Sequence, residues 1–217
     1  MYKKKPLFIT FEGIEGSGKS YQTRKLYNKL KSRKIPAVIT REPGGTKSAE
    51  KIRKVILEDY FHPDSKEKFD KYTDTLLYLA ARNEHIKTKI IPLIRKKNIV
   101  ICDRFIDSTI AYQVYGKSVE KDLIDLIHKH ILNKDCYPDL TFVLKANILK
   151  AMSRLKKRKK KNRYDKFSKN FYDRVQKAFI KIAKKNKKRC IIIDNSKDSI
   201  EPEKLIFSKV KEIIKLW

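Results

Sequence analysis

Cysteine is scarce in this 217-residue chain: Cys102, Cys136 and Cys190 stand singly, with no CxxC pair among them. That spacing excludes a zinc ribbon and a disulfide scaffold, and it fits reduced thiols in a cytoplasmic protein. Long apolar runs are also missing. None approaches the ~18 residues that span a bilayer, so no membrane partner is expected. Leu7–Phe11 is too short for the core of a signal peptide and ends at Glu12. Acidic residues are few, 25 Asp+Glu against 54 Lys+Arg, for a formal net charge of +29. The chain carries no N-K-x-D guanine signature, which weighs against a GTPase. Nor is there a helix-turn-helix, zinc or RNP-type pattern to go with the charge.

What is present is enough for a core. Hydrophobic residues make up 41% and aromatics 10%, which argues against disorder. The charge is uneven. From Lys150 to Arg189 there are 19 basic and 2 acidic residues, a net of +17 that peaks at Lys156–Lys161. Such a field attracts polyanions, either nucleotides or nucleic acid. Most of these lysines read as solvated helix faces. The arginines number only 12 of the 54 basic residues and are better suited to bidentate phosphate contacts.

The hydrophobic pattern alternates between short apolar runs and helical periods. Leu7–Phe11 and Ala37–Thr40 read as strand candidates, and Ile99–Cys102, Leu140–Leu144 and Cys190–Ile193 as strands buried on both faces of a parallel sheet. Helical segments are expected at Lys19–Arg33, about 49–57, 72–97 with a kink at Pro92, 108–115, 119–133, 147–160, 169–187 and 201–216. Residues 60–70 read as a polar connection. This alternation predicts an α/β fold with no linker, hence one domain.

Three of the six glycines fall in Gly13-Ile14-Glu15-Gly16-Ser17-Gly18-Lys19-Ser20, which fits G-x-x-x-x-G-K-[ST] between a strand and a helix. Backbone N–H groups of such a P-loop cradle phosphate at a helix N-terminus. Lys19 is expected on the β- and γ-phosphates and the Ser20 hydroxyl on Mg²⁺. Asp103, closing the third strand, takes the place of the second metal-side group. Arg104 and Arg41 stand at the carboxyl ends of the third and second strands, where open α/β sheets bind ligands. Two arginines and a P-loop in one crevice suggest phosphoryl transfer between two phosphorylated ligands.

These residues resemble the thymidylate kinase family over nearly the whole chain. The resemblance is carried by Phe11-Glu12-Gly13, Arg41-Glu42-Pro43-Gly44-Gly45-Thr46, Tyr78-Leu79-Ala80-Ala81-Arg82, Asp103-Arg104-Phe105 and Ser108-Thr109-Ile110-Ala111-Tyr112-Gln113. It implies a P-loop nucleoside monophosphate kinase fold, with five parallel strands ordered 2-3-1-4-5, helices on both faces and a lid over about 156–168. It also implies ATP and dTMP as substrates, Mg²⁺ as cofactor and a homodimer through the 72–97 helix. By the resemblance, Glu12 approaches the sugar 3′-hydroxyl and the metal, while Arg41 and Arg104 clamp the dTMP phosphate. Tyr78 takes the place of an aromatic, usually Phe, that stacks on thymine, and Arg82 donates to the base O4. The i, i+4 spacing puts those two on one helix face. Ser108 and Gln113 face the base and Tyr112 crowds the sugar C2′. The P-loop carries Glu15-Gly16 where one branch of the family has Asp-Arg, so the catalytic arginine is expected in the lid, at Arg163. Arg158 is a second lid candidate. Arg154 is expected beside adenine, with Asn195–Asp198 forming the adenine loop. The alternatives are a kinase for another deoxynucleotide or nucleoside and a basic nucleic-acid-binding P-loop protein. Acceptor comparison separates the first, and steeply salt-dependent binding would mark the second.

Overall fold

The computed structural model describes residues 6–57, 69–133, 136–157, 162–197 and 199–214, with the side chains of Arg163 and Lys166 outside that set. Among these residues five parallel strands form one sheet: β1 (Leu7–Glu12), β2 (Ala37–Arg41), β3 (Ile99–Asp103), β4 (Leu140–Lys145) and β5 (Cys190–Asp194). The spatial order is β2-β3-β1-β4-β5, the order that the resemblance implied. Central β1 is buried along its whole length, as its unbroken apolar run requires.

Every strand runs one residue further at its carboxyl end than the apolar runs alone suggest, through Glu12, Arg41, Asp103, Lys145 and Asp194. These added residues are all polar: Arg41 and Asp103 line the cavity described below, whereas Glu12 is buried. Register fixes their placement: Arg41 pairs with Asp103, and Asp103 with Phe11, so β2 and β3 end level and β1 runs one residue beyond them.

Helices cover both faces. α1 (Lys19–Lys31) and α9 (Glu201–Ile214) pack with the β1, β3 and β4 side chains around Leu26, Leu30, Phe142 and Val210. On the other face α7 (Ile148–Lys156) and α8 (Lys169–Lys185) enclose Tyr112, Tyr172 and Phe179. A third cluster joins Phe8, Ile86, Ile90, Val100 and Phe105.

The long helix expected over 72–97 is α3 (Lys71–His85), one wide π-helical stretch at Ile86–Ile90, and α4 (Ile91–Arg95). Pro92 explains the widening: it has no N–H to give, and its ring crowds the preceding turn, so the ladder loosens just ahead of it. The segment expected at 108–115 is α5 (Ile106–Thr109) running into a second π-helical stretch at Ile110–Gly116. α2 (Lys47–Leu57) and α6 (Lys121–Ile131) complete the helices used below. A short 3₁₀ turn at Arg163–Lys166 lies in the segment expected as a lid; it is capped by Asn162, whose side chain accepts from Tyr164 N, and by Asp165, which accepts from Asn162 N. Most of the polar connection at 60–70, the end of the predicted 147–160 helix and Arg158 fall outside the described residues.

Candidate functional site

A cavity of about 360 Å³ opens at the carboxyl edge of the sheet. Its floor is the P-loop, and the loop geometry depends on glycine. Gly13 has φ 136°, and a Cβ there would meet the Leu144 carbonyl oxygen at 2.6 Å. Gly16, at φ 72°, would press a Cβ against the Ala151 carbonyl at 2.5 Å. Substitution at either is thus blocked twice, by conformation and by space.

At the donor end, Lys19 is buried and folds back over its own loop, donating to the carbonyls of Gly13 (2.9 Å) and Ile14 (2.7 Å). Burial and then the Arg104 charge push its pKa down to about 8. The Ser20 hydroxyl donates to Asp103 Oδ2 at 2.6 Å. This hydroxyl and carboxylate are hard oxygen donors that suit Mg²⁺, which takes few protein ligands and keeps water and phosphate oxygens for the rest. Arg154 donates to the Gly16 carbonyl at 3.0 Å and lines both this cavity and an adjoining one of about 620 Å³. Asn195 borders the second cavity and donates to the Ser17 carbonyl at 2.7 Å. Asn195 and Lys197 thus line it, while Asp198 is outside the described residues.

The middle of the cavity belongs to Arg104. It occupies φ 71°, a left-handed conformation that costs a non-glycine residue free energy and marks a constrained site. Its Nη1 donates to the Gly13 carbonyl (2.9 Å) and the Ser108 hydroxyl (3.1 Å); its Nη2 donates to Glu15 (2.9 Å) and the Tyr112 hydroxyl (3.3 Å). Tyr112 in turn donates to Glu15.

Glu12 does not line the cavity: it is 0% exposed, and its carboxyl accepts from the backbone N–H of Phe105 (2.8 Å) and from the Ser108 hydroxyl (2.5 Å). Burial, then the Asp107 charge, pushes its pKa up to about 8. Of the two carboxylates flanking Gly13-Ile14, it is Glu15 that lines the cavity. Strand geometry is the reason. Glu12 is the last residue of β1 and is buried against Phe105 and Ser108, whereas Glu15 sits on the loop. Ser108 lines the cavity, and its hydroxyl donates to Glu12 and accepts from Arg104.

At the far end lies Arg82, on α3 and 2% exposed. Its Nε donates to Glu42 Oε2 (2.8 Å), and its Nη1 donates to Thr109 Oγ1 (2.7 Å) and His128 Nε2 (2.9 Å). Its Nη2 has no protein partner among the described residues, and the side chain lines the cavity. Beside it stand Tyr78 and Gln113, whose buried Nε2 also has no partner among the described residues. Arg41, by contrast, is 55% exposed and paired with Glu50 at 3.0 Å on the cavity rim. Asn162 and Tyr164 close the side nearest the lid segment, and Tyr164 packs edge-on against Tyr78. The Arg163 backbone lies between those two wall residues; its side chain is outside the described set.

Sequence reasoning overlooked Arg53, which lines the cavity and donates to the Pro43 carbonyl at 2.7 Å. The signal was available: an arginine on the stripe otherwise formed by Ala49, Ile52 and Ile56 has to point somewhere polar. Glu42 and His128 were missed too, and nothing local marks His128, which reaches the site from α6.

Comparison with known proteins agrees with this geometry. The sequence model of the thymidylate kinase family matches residues 11–206. The chain is 42% identical over 211 residues to a thymidylate kinase from Wolbachia pipientis subsp. Culex pipiens (strain wPip), covering 96% of each. It is 39% identical over 213 residues to one from Mycoplasma capricolum, covering 95% of this chain and 97% of that one. A crystal structure of thymidylate kinase from Ehrlichia chaffeensis superposes with a TM-score of 0.73 at 34% identity, over 96% of this chain and 98% of the other.

Proposed function

The chain belongs to the thymidylate kinase family and phosphorylates dTMP to dTDP with ATP, and we propose that the cleft divides the work between three groups of its own residues. At one end the P-loop from Gly13 to Ser20 holds the donor phosphates, with Arg154 toward adenine. Ser20 and Asp103 hold Mg²⁺, which when bound shields the donor phosphates and their developing charge. In the middle Arg104 and Arg41, joined by Arg53, draw the acceptor phosphate toward the donor. Glu15 takes the sugar-side role first expected of Glu12, and Tyr112 walls the sugar. At the far end Tyr78 stacks on thymine, while Arg82 Nη2 and Gln113 Nε2 donate to its carbonyl oxygens.

The reaction follows from this placement. An anionic oxygen of the dTMP phosphate attacks the γ-phosphorus in line; the new P–O bond forms as the bond to the β-phosphate oxygen breaks, and ADP leaves with that electron pair. No general base is required, because the nucleophile is already charged. Catalysis is positioning and charge stabilisation, and Arg163 in the lid supplies a cation at the transferring group. The chain acts as one cytoplasmic kinase domain and pairs with a second copy through α3, where Tyr72 and Leu76 face outward on one side.

The observation that carries this reading is the Ser20–Asp103 pair and the free Arg82 Nη2 at opposite ends of one cavity. The test is coupled ADP release with ATP and Mg²⁺, offering dTMP, dUMP, dCMP and thymidine in turn. Turnover that depends on dTMP and stops on chelation supports it; turnover only with another acceptor overturns the base assignments.

A further inference from the structure

Arg82 is held more firmly than recognition of one ligand group requires. Glu42 grips Nε, and Glu42 is itself fixed by His85 Nδ1 at 3.0 Å, which is fixed by Thr40 at 2.6 Å. The ring of Phe105 lies 5.1 Å below the guanidinium carbon. Thr109 and His128 share Nη1. Of these partners, His128 alone comes from outside the elements that line the cavity, since α6 contributes no wall residue.

We propose that His128 is a positioning residue for acceptor-base selection: by accepting from Arg82 Nη1 at its Nε2, it fixes the guanidinium so that only Nη2 faces the base. The inference rests on the reading of Arg82 as the base donor. Its chemistry is one of sign. A guanidinium donates and never accepts, so a fixed Nη2 favours a base with a carbonyl oxygen at position 4 and repels one with an amino group there. If the guanidinium could rotate, it could swing away from an amino group and the preference would weaken. The role needs a neutral imidazole with its proton on Nδ1. Burial and the adjacent Arg82 charge favour the neutral form, lowering the His128 pKa to about 3, and the Arg82 Nη1 donor facing Nε2 selects the Nδ1-protonated tautomer.

The test compares His128→Leu, which keeps bulk and removes the acceptor, with His128→Gln, whose amide oxygen reaches the Nε2 position, and His128→Asn, which is too short to reach it. Arg82→Gln is the control. For each, KM and kcat are measured with dTMP and dCMP, and thermal unfolding is recorded. His128→Leu is expected to raise the dTMP KM about tenfold, the loss of one buried hydrogen bond. Its kcat should hold within about twofold, and its preference for dTMP over dCMP should fall. His128→Gln should restore both, and His128→Asn should behave like His128→Leu, which keeps the test open if the leucine variant does not fold. Wild-type KM and preference in His128→Leu or His128→Asn, with Arg82→Gln impaired, would overturn the role of His128 alone. Wild-type behaviour in Arg82→Gln would overturn the base reading together with it.

Discussion

The base-facing end of the cavity and its open rim hold their arginines in opposite ways. Arg82 is 2% exposed and bonded to Glu42, Thr109 and His128, whereas Arg41 has a side chain 55% exposed and, among the described residues, a single partner, Glu50. The difference follows what each must recognise. A phosphate is a strong, nearly symmetric charge that a mobile guanidinium finds from many directions. A base edge differs from its rivals by one donor or acceptor, so a donor that can turn reads it poorly. Discrimination between such bases comes from buried polar groups that the wrong ligand leaves unpaired. The rigid end therefore selects and the open end captures.

The group that both ends depend on, Arg104, should give the largest effect. Arg104→Ala removes donors to Gly13, Ser108, Glu15 and Tyr112 at once, and its loss is expected to lower kcat/KM by ~10²–10³. Steady-state kinetics with dTMP check this, and a loss below tenfold would mean that Arg104 only braces the P-loop.

Stability separates the two ends next. Arg82→Ala leaves Glu42 as a buried charge and is expected to cost about 3–5 kcal/mol. Arg41→Ala breaks an exposed pair and is expected to cost about 0–1 kcal/mol. Urea titrations of both variants make the comparison, and equal losses would erase the distinction between a rigid end and an open one.

A smaller effect comes from pH. The folded-state pKa of His128 lies near 3, below its ordinary value of about 6.5, so its contribution to stability is present above pH 6.5 and is lost as pH falls toward 3. His128→Gln removes that component. Between pH 6.5 and 4 the wild type should lose melting temperature more steeply than His128→Gln, and parallel curves would show that His128 titrates normally. The smallest change is expected at the cavity's side wall. There Tyr164 donates to Asp74 at 3.2 Å, and Lys117 donates to the same oxygen at 2.5 Å. Tyr164→Phe should cost about 1 kcal/mol, read from the same urea titrations.

Much of this was legible in the sequence for a physical reason. The inner strands β1, β3 and β4 are buried and so apolar nearly throughout, the edge strands β2 and β5 keep short apolar runs as well, and phosphate binding needs glycine and lysine at fixed spacing. The strand ends were less legible, because Glu12, Arg41 and Asp103 stop looking like strand residues where the sheet meets the cavity. Within Glu12-Gly13-Ile14-Glu15 composition cannot tell which carboxylate faces a ligand; the last peptide of β1 decides it. Partners brought in from distant elements were least legible. His128 lies 46 residues from Arg82, and no local pattern on an amphipathic helix distinguishes it from a core histidine.

The most direct measurement is the ratio of kcat/KM for dTMP to that for dCMP in the wild type, Arg82→Gln and Arg41→Ala. The account expects Arg82→Gln to collapse the ratio, while Arg41→Ala weakens both acceptors in parallel and leaves the ratio within about twofold, since a rim cation contributes nearly equally to ligands that share a phosphate. A ratio preserved in Arg82→Gln, or lost in Arg41→Ala, would contradict the division between a selecting end and a capturing one.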